Sequence, residues 1–325
     1  MKAITAVEYG GSDVLTVTDR NPPSIENDES EVQINVDAAG VNFADVEQRR
    51  GNYPEGPSPP FVPGLEVAGT VTAAPTEASI DVGDRVAALT STGGYAQIAT
   101  APVDRTFRVP KSLSTREAVA IPVQGLTAHN ILHEWGRLGS EERVLIHAAA
   151  GGVGSLAIQL AATAGAEVFA TASTDTKLDI AKELGADHAI KYSETNVAES
   201  VSARTDGKGV DLVLDGVGGN AFAESVEALA PNGRIVSFGM ASGSIPTVAV
   251  PRLFFENQSI IGYHLEHAFE HVPHRVYMAV PNLLDHLHAG RVEPIIGETF
   301  ALTEARAAHD ELTNRETVGK VVLEP

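Results

Sequence analysis

Residues 143–157 read RVLIHAAAGGVGSLA: a short apolar run, a glycine turn and a helix-forming stretch. Within it, Gly152, Gly154 and Ala157 have the G-x-G-x-x-G/A spacing of the dinucleotide fingerprint. In that pattern Gly152 is expected to allow the tight turn, and Gly154 to leave room for backbone to approach a pyrophosphate. Ala157 is small enough for the helix to lie close on the strand. The helix N-terminus offers N–H groups and a partial positive charge to phosphates. Glycine spacing alone is weak evidence, but here a strand precedes it and a helix follows, which is the context that gives it meaning.

From residue 143 onward, apolar runs alternate with helical patterns. Strands are expected at 143–148, 166–171, 187–190, 210–214, 234–238 and 258–262, with helices between them such as 153–164 and 174–184. Strands joined by helical crossovers imply a parallel, doubly wound sheet in an α/β fold, and six strands suffice for a complete dinucleotide-binding domain. The first 120 or so residues differ: short β-like runs at 31–38, 65–73 and 85–89 are separated by Gly and Pro, as in a compact β domain or barrel. Residues 52–63 (NYPEGPSPPFVP) hold five prolines and read as an extended surface loop. Ser114 and Glu117 form a capping box for a short helix expected to end at Pro122, and a second helix is expected from about Leu126 to Trp135. The tail carries a long helical stretch near 268–289, a β run, a helix at about 304–313 and a last strand at 317–323. It exceeds what a nucleotide fold needs, which suggests a return to the first domain.

Composition narrows the function classes. The chain of 325 residues has no cysteine, which excludes disulfides and thiolate metal sites. No apolar run approaches the ~20 residues that cross a bilayer, and the first residues, MKAITAVEYGG, lack a signal-peptide profile. The expectation is a soluble, cytoplasmic protein. A net charge of −20, with 16 of the 23 basic residues Arg, disfavours nucleic acid and anionic membranes as partners. Such a surface also resembles those of proteins from salt-loving organisms, where salt screens self-repulsion; an ordinary acidic mesophile enzyme is the alternative.

An NAD site normally places an acid about 20 residues past the first glycine to hold the ribose hydroxyls. That spacing lands on Ala172, followed by Ser173, Thr174, Asp175, Thr176 and Lys177. Hydroxyl donors and a cation in place of the acid suit a 2′-phosphate, which argues for NADPH. The competing reading makes Ser173 or Thr174 a helix cap and Lys177 a solvated charge, with Asp175 as a displaced ribose acid.

The motifs taken in order resemble the medium-chain dehydrogenase/reductase superfamily over essentially the whole chain. They are AGVNFAD at 39–45, PGLEVAG at 63–69, GDRV at 83–86, GYA at 94–96, GLTA at 125–128, HAAAGGVG at 147–154, DGVG at 215–218, SFG at 237–239 and TVGK at 317–320. Within that superfamily they resemble the zinc-free quinone oxidoreductases. The resemblance implies a Rossmann doubly wound parallel sheet plus a GroES-like β-barrel catalytic domain, with the active site in the cleft between them. The expected division is a GroES-like part at 1–122, a Rossmann NADPH-binding domain at 123–263 and a return to the catalytic domain at 264–325. Zinc-dependent relatives carry GHE where this chain has Gly64, Leu65 and Glu66; Leu65 cannot ligate zinc, so no catalytic metal is expected.

By the same resemblance, Asn42 and Thr127 are expected near the nicotinamide, and Ala150, Gly152, Val153 and Gly154 around the pyrophosphate. Ser173, Lys177 and Tyr192 are expected around the 2′-phosphate. Val217, Phe238, Gly239 and Met240 are expected on the nicotinamide-ribose side, with Lys320 closing the site from the tail. Many relatives have Ser where Val217 stands. The implied activity is NADPH-dependent reduction of a quinone by direct hydride transfer. Tyr53 at the slot's mouth is either a hydrogen-bond or proton donor to substrate or a loop anchor on Pro54. Glu66 reads as a brace rather than a catalytic acid. A 2-alkenal or enone reductase on the same scaffold, and a non-catalytic NADPH-binding protein, are the alternatives. A homodimer is expected to pair the last Rossmann strands, through 247–250 and 259–262. His267, His271 and His274 have metal-like spacing, but Pro273 interrupts the helix and no partner motif is evident, so they read as a solvated face.

The charge excess yields a first prediction: the thermal midpoint of the purified chain rises with KCl from millimolar to molar concentration as self-repulsion is screened. A midpoint that is flat or falls across that range identifies an ordinary acidic surface.

Overall fold

Val144, Leu145 and Ile146 are buried, as a parallel strand covered on both faces by helices must be. In the computed structural model, which describes residues 1–25 and 30–325, the strand Arg143–Ile146 stands inside a six-stranded sheet. The spatial order is His188–Lys191, Glu167–Ala172, Arg143–Ile146, Val210–Asp215, Leu229–Ser237, Ser259–Gly262, with every pairing parallel. This is the doubly wound order. Its progression reverses between Arg143–Ile146 and Val210–Asp215, so the loops after those two strands flank the switch point at which such sheets bind ligands. The strand expected at 234–238 begins earlier, at Leu229, and absorbs a register irregularity opposite Val210 and Leu212, with Asn232 left-handed at φ 64°.

The chain divides into two compact units: residues 1–123 with 294–325, and residues 124–293. The return to the first unit therefore starts at Pro294, not at 264. The expected long helix is two, Leu265–His271 and Pro273–His288, and both stay with the nucleotide unit for identifiable reasons. The Arg275 guanidinium lies 4.0 Å over the Trp135 ring and donates to the Glu134 carbonyl. Trp135 meets Tyr263 edge-on at 4.8 Å, and Asn130 Nδ2 donates to the Tyr263 hydroxyl at 3.0 Å. Gln159 exchanges two hydrogen bonds with the Glu293 backbone, at 2.9 and 2.8 Å.

In the first unit, a seven-stranded sheet runs Ile296–Ala301, Lys320–Glu324, Glu31–Val41, Glu66–Ala73, Arg85–Leu89, Thr106–Arg108, with Ile98–Pro102 also on Glu31–Val41. Its core includes Ile34, Val67, Val86, Tyr95, Val321 and Leu323. The last strand lies antiparallel to Glu31–Val41 with Val321 opposite Val41, which brings Lys320 beside Asn42. The Ser114 capping box forms as expected, Glu117 Oε2 accepting from the Ser114 backbone at 2.7 Å. Its helix stops at Ala118, however, and Pro122 sits in the first turn of the next helical stretch, Ile121–Gly125, where its missing N–H leaves no hydrogen bond unmade. The proline-rich loop is pinned at its far end, where Phe61 bridges Ala6.

One polar pair is sealed within this core. Tyr95 and His309 are fully buried, with Tyr95 Oη and His309 Nε2 3.0 Å apart. The Asp45 carboxylate lies beside the Tyr95 hydroxyl. His309 Nδ1 has no partner, and a second proton there would be a buried donor without an acceptor. Burial, helped by Arg49 and Arg50, holds the His309 pKa down at about 3. The unfolded chain takes up that proton near its ordinary ~6.5. The resulting stability is complete above pH ~6.5 and drains as pH falls towards 3, by about 1.4 kcal/mol per pH unit. His309→Gln should lower stability at neutral pH yet flatten the loss between pH 6.5 and 4 by about one proton's worth of slope, measured by urea unfolding at fixed salt. An unchanged slope contradicts a neutral buried imidazole.

Candidate functional site

The loop after Arg143–Ile146 is set by a histidine. The Ser225 hydroxyl donates to the Ala221 carbonyl at 2.7 Å, so it accepts from His147 Nε2–H at 2.7 Å. His147 Nδ1 then accepts from the Thr171 hydroxyl at 2.9 Å. The imidazole is neutral in one tautomer, and burial pushes its pKa down. It links the strand end to the neighbouring strand and to the helix Gly219–Ala228.

Beyond it the chain turns at Ala148, whose φ of 51° makes it the left-handed residue of the loop; Gly151 N donates back to Ala148 O at 2.9 Å. The role expected of Gly152 is thus taken by Ala148. A Cβ at Gly152 would meet the end of the flexible Gln124 side chain, which can move aside, whereas a Cβ at Gly154 would overlap the Ala148 backbone carbonyl, so crowding holds Gly154 to glycine. Ala157 is fully buried against the sheet. The helix Gly152–Thr163 thus begins with no side chain over its first N–H groups at Gly152 or Gly154, a cradle fit for a pyrophosphate. Ala150 is buried beneath it, and Val153 lies in its first turn.

At the end of Glu167–Ala172, Tyr192 N donates to Ala172 O and Ser193 Oγ to Ser173 O, each at 3.3 Å. Those bonds draw Tyr192 towards Ser173, and Lys177 follows in the first turn of the helix Asp175–Glu183. Thr174 caps that helix, accepting from Lys177 N at 3.4 Å. Asp175 is held by Lys191 at 2.8 Å, which lowers its pKa, and Lys191 also reaches Glu194 at 2.8 Å. The carboxylate that the competing reading makes the ribose acid is thus engaged by a lysine.

Across the switch point, the fully buried Asp215 accepts from Val217 N at 2.9 Å and Gly218 N at 3.1 Å. Gly218 and Gly219 follow with φ of 72° and 56°, values that a side chain would strain. Ala241 N and Ser242 N donate to Gly216 O and Val217 O at 3.0 and 2.9 Å, zipping this loop to the one after Leu229–Ser237. The Phe238 ring fills the space above Gly216, 2.8 Å from where a Cβ would stand, and Gly239 passes under the Gly216 carbonyl. Val217, Phe238, Gly239 and Met240 are thereby gathered, with Met240 exposed. Asp215, the organiser of this loop, has no role of its own in the sequence reading, which quotes it only within DGVG; an acid at a strand end three residues before a glycine pair is the signal that points to it.

The first unit supplies a separate polar cluster. Lys320 is wholly buried and has three acceptors for its three protons: Glu66 Oε1, Asn42 Oδ1 at 2.9 Å and the Val41 carbonyl at 3.2 Å. Asn42 Nδ2 donates to Glu66 Oε1 at 2.8 Å, and Val123 N donates to Glu66 Oε2 at 2.7 Å. Asp45 accepts from Asn42 N at 2.8 Å and Gly64 N at 3.2 Å. Burial raises its pKa to about 7 against the opposing pull of the Asn42 hydrogen bond and the Lys320 charge. Lys320, expected at the cofactor, is therefore held by protein groups and orients Asn42. Tyr53 is half-buried in the proline loop, its carbonyl accepting from Gly56 N at 3.1 Å. Asn42, Tyr53 and Lys320 belong to the first unit; Thr127, buried in Leu126–His129, belongs to the second with the cradle.

Residues 152–283 match the family described as zinc-binding dehydrogenase, and residues 28–111 the alcohol dehydrogenase GroES-like domain. A quinone oxidoreductase of Pseudomonas aeruginosa is 35% identical over 326 residues, covering 100% of this chain and 99% of that protein. The Escherichia coli quinone oxidoreductase, solved with NADPH, superposes with a TM-score of 0.93 at 31% identity, and 100% of each chain is covered. The Thermus thermophilus quinone oxidoreductase, solved alone and with NADPH, gives a TM-score of 0.87 at 36% identity, again over 100% of both chains.

Breaking the buried ion pair from one side leaves an uncompensated charge, at a cost of about 3–5 kcal/mol. Lys320→Met should therefore destabilise the chain by about that much, while Glu66→Leu combined with Lys320→Met costs far less than the two single changes summed. Chemical denaturation of the four proteins checks this, and strict additivity refutes the coupling.

Proposed function

The chain belongs to the quinone oxidoreductases of the medium-chain dehydrogenase/reductase superfamily, and from that membership we propose that it reduces quinones with NADPH by direct hydride transfer, without a catalytic metal. The observation that carries the cofactor choice is the end of the strand Glu167–Ala172. No acid stands at Ala172, Asp175 is engaged by Lys191, and the hydroxyl, ammonium and phenol of Ser173, Lys177 and Tyr192, which follow this strand and its neighbour, suit a 2′-phosphate. The glycine cradle and the helix N-terminus above it suit the pyrophosphate.

When bound, the reduced coenzyme supplies the hydride. The protein's part is alignment and exclusion of water. Asn42 is suited to orient the carboxamide or acceptor carbonyl because Lys320 and Glu66 fix its side-chain amide. Phe238 and Val217 present apolar surface, and Thr127 a hydroxyl. A hydroquinone anion takes its proton from solvent, so no acid is required. An enone needs a proton at its α-carbon, and Tyr53 is the residue that would deliver it. Leu65 and the absence of cysteine leave the catalytic zinc of the superfamily's zinc-dependent members without its ligand set.

We also read the protein as a homodimer. Ser259–Gly262 is the outer strand of the parallel sheet. Residues 247–250, expected to pair alongside it, form no strand but lead into the helix Val250–Phe255. Around them Ile245, Val250, Phe254 and Phe255 are 60–78% exposed, an apolar group that a second copy would cover. No helix among the described residues is long and apolar enough to cross a membrane.

The test follows nicotinamide absorbance with NADPH and NADH against a quinone and an enone. NADPH should be preferred, and Lys177→Ala should lower kcat/KM with NADPH by about 10–100-fold, the value of a charged hydrogen bond, while leaving NADH turnover unchanged. Tyr53→Phe should spare quinone reduction and impair enone reduction. Equal use of both coenzymes overturns the cofactor assignment; coenzyme binding without turnover of any acceptor overturns the activity.

A further inference from the structure

The helix Leu265–His271 has no part in the function proposed above, yet its sequence, LEHAFEH, divides cleanly between two faces. Ala268 and Phe269 are buried, Phe269 meeting the Tyr277 ring edge-on at 5.7 Å. His267, Glu270 and His271 are exposed. Spacings of three and four residues bring these three side chains onto one surface within a single turn. Their ligand atoms lie within 4.8 Å of one another, and the two imidazole centroids are 4.0 Å apart.

We propose that His267, Glu270 and His271 form a surface site for one divalent transition-metal ion of the zinc class. Two imidazoles and one carboxylate are the three-protein-ligand set that zinc accepts when its fourth position is left to water. Imidazole donors favour zinc, copper or nickel over magnesium and calcium, which take oxygen. With metal–ligand bonds of ~2.0–2.2 Å, neighbouring tetrahedral donors sit closer than they do here, and rotamer changes of exposed side chains supply the contraction.

The backbone under the site is already fixed. His264 Nδ1 caps the helix by accepting from His267 N at 3.2 Å, Val272 N closes its other end on Ala268 O at 2.9 Å, and Phe269 anchors its buried face. Binding therefore orders side chains alone. The net charge of −20 raises the local concentration of cations at such a surface. His274, which sequence spacing groups with the other two histidines, lies beyond the break at Val272 on the next helix. Glu270 is the third ligand in its place. The site lies on the nucleotide-binding unit, whereas Leu65, where zinc-dependent relatives carry a ligand, belongs to the other unit.

Calorimetric titration of the chelator-treated full chain with Zn²⁺ tests the site. One equivalent should bind saturably and raise the thermal midpoint, since the ligand binds the folded form. His267→Ala and His271→Ala should each weaken binding about tenfold or more, Glu270→Gln should weaken it less, and His274→Ala should leave it unchanged. Because the site is independent of the proposed catalysis, all four variants should retain the wild-type quinone reductase rate, so failure of one reading is visible apart from the other. Absence of saturable binding, undiminished binding by the His267→Ala/His271→Ala double variant, or equal affinity for Mg²⁺ overturns the assignment.

Discussion

A lysine with no access to water organises the first unit. Lys320 arrives on the last strand of the chain, and its ammonium must find charge compensation and three acceptors in one place. It does so with Asn42 and the Val41 carbonyl, at the end of the adjacent strand Glu31–Val41, and with Glu66, at the start of the strand beyond it. The pairing of Lys320–Glu324 with Glu31–Val41 puts the charge in reach, and the charge in turn makes any other register expensive, since a slip would leave both ions buried and unpaired. One interaction thus ties the returning tail strand to the sheet and fixes the direction of the Asn42 amide.

The second unit reaches a comparable precision without a buried ion pair between its two organising groups. Its sheet needs only apolar runs, but the loops at the carboxyl ends of its strands contain backbone polar groups that neither helix nor sheet satisfies. His147 and Asp215 supply those partners from buried positions, one as a fixed tautomer between Thr171 and Ser225, the other as an acceptor for two successive N–H groups. Both stand at the switch point, immediately after the central strands. The pyrophosphate cradle of the proposed function is accordingly backbone, held from beneath by His147.

Much of this architecture is readable in the sequence because it depends on local pattern. The parallel strands appear as apolar runs separated by helical periods, and their positions follow to within a residue or two except at Leu229, where a bulge and a left-handed Asn232 extend the strand through polar residues. The misplaced domain return has a different origin. The apolar stripe of Pro273–His288 says that the helix covers a core but not which one, and the choice is made by Trp135, Glu134 and Tyr263, none of them its sequence neighbours. The Lys320–Glu66 pair spans 254 positions, so no local pattern reports it. The fingerprint spacing puts the tight turn at Gly152; in the fold Ala148 takes the left-handed conformation, and crowding by the Ala148 carbonyl holds Gly154 to glycine.

The charge state of the Asn42 region follows from counting. Two carboxylates, Asp45 and Glu66, are fully buried within the same unit, and one lysine serves them. Glu66 takes the direct contact with Lys320. Asp45 feels that cation only at a distance, feels Glu66 as a like charge, and has lost its water, so its pKa rises to about 7 despite the hydrogen bonds it accepts. Below that pH the cluster is neutral overall, with one proton on Asp45; above it, a negative charge develops directly beneath the Asn42 backbone N–H. Tyr95 lies beside that carboxylate and pairs with His309, an imidazole that stays neutral throughout the same pH range. A single net buried proton is therefore exchanged around neutrality, and it sits one hydrogen bond from the residue proposed to orient the reacting groups.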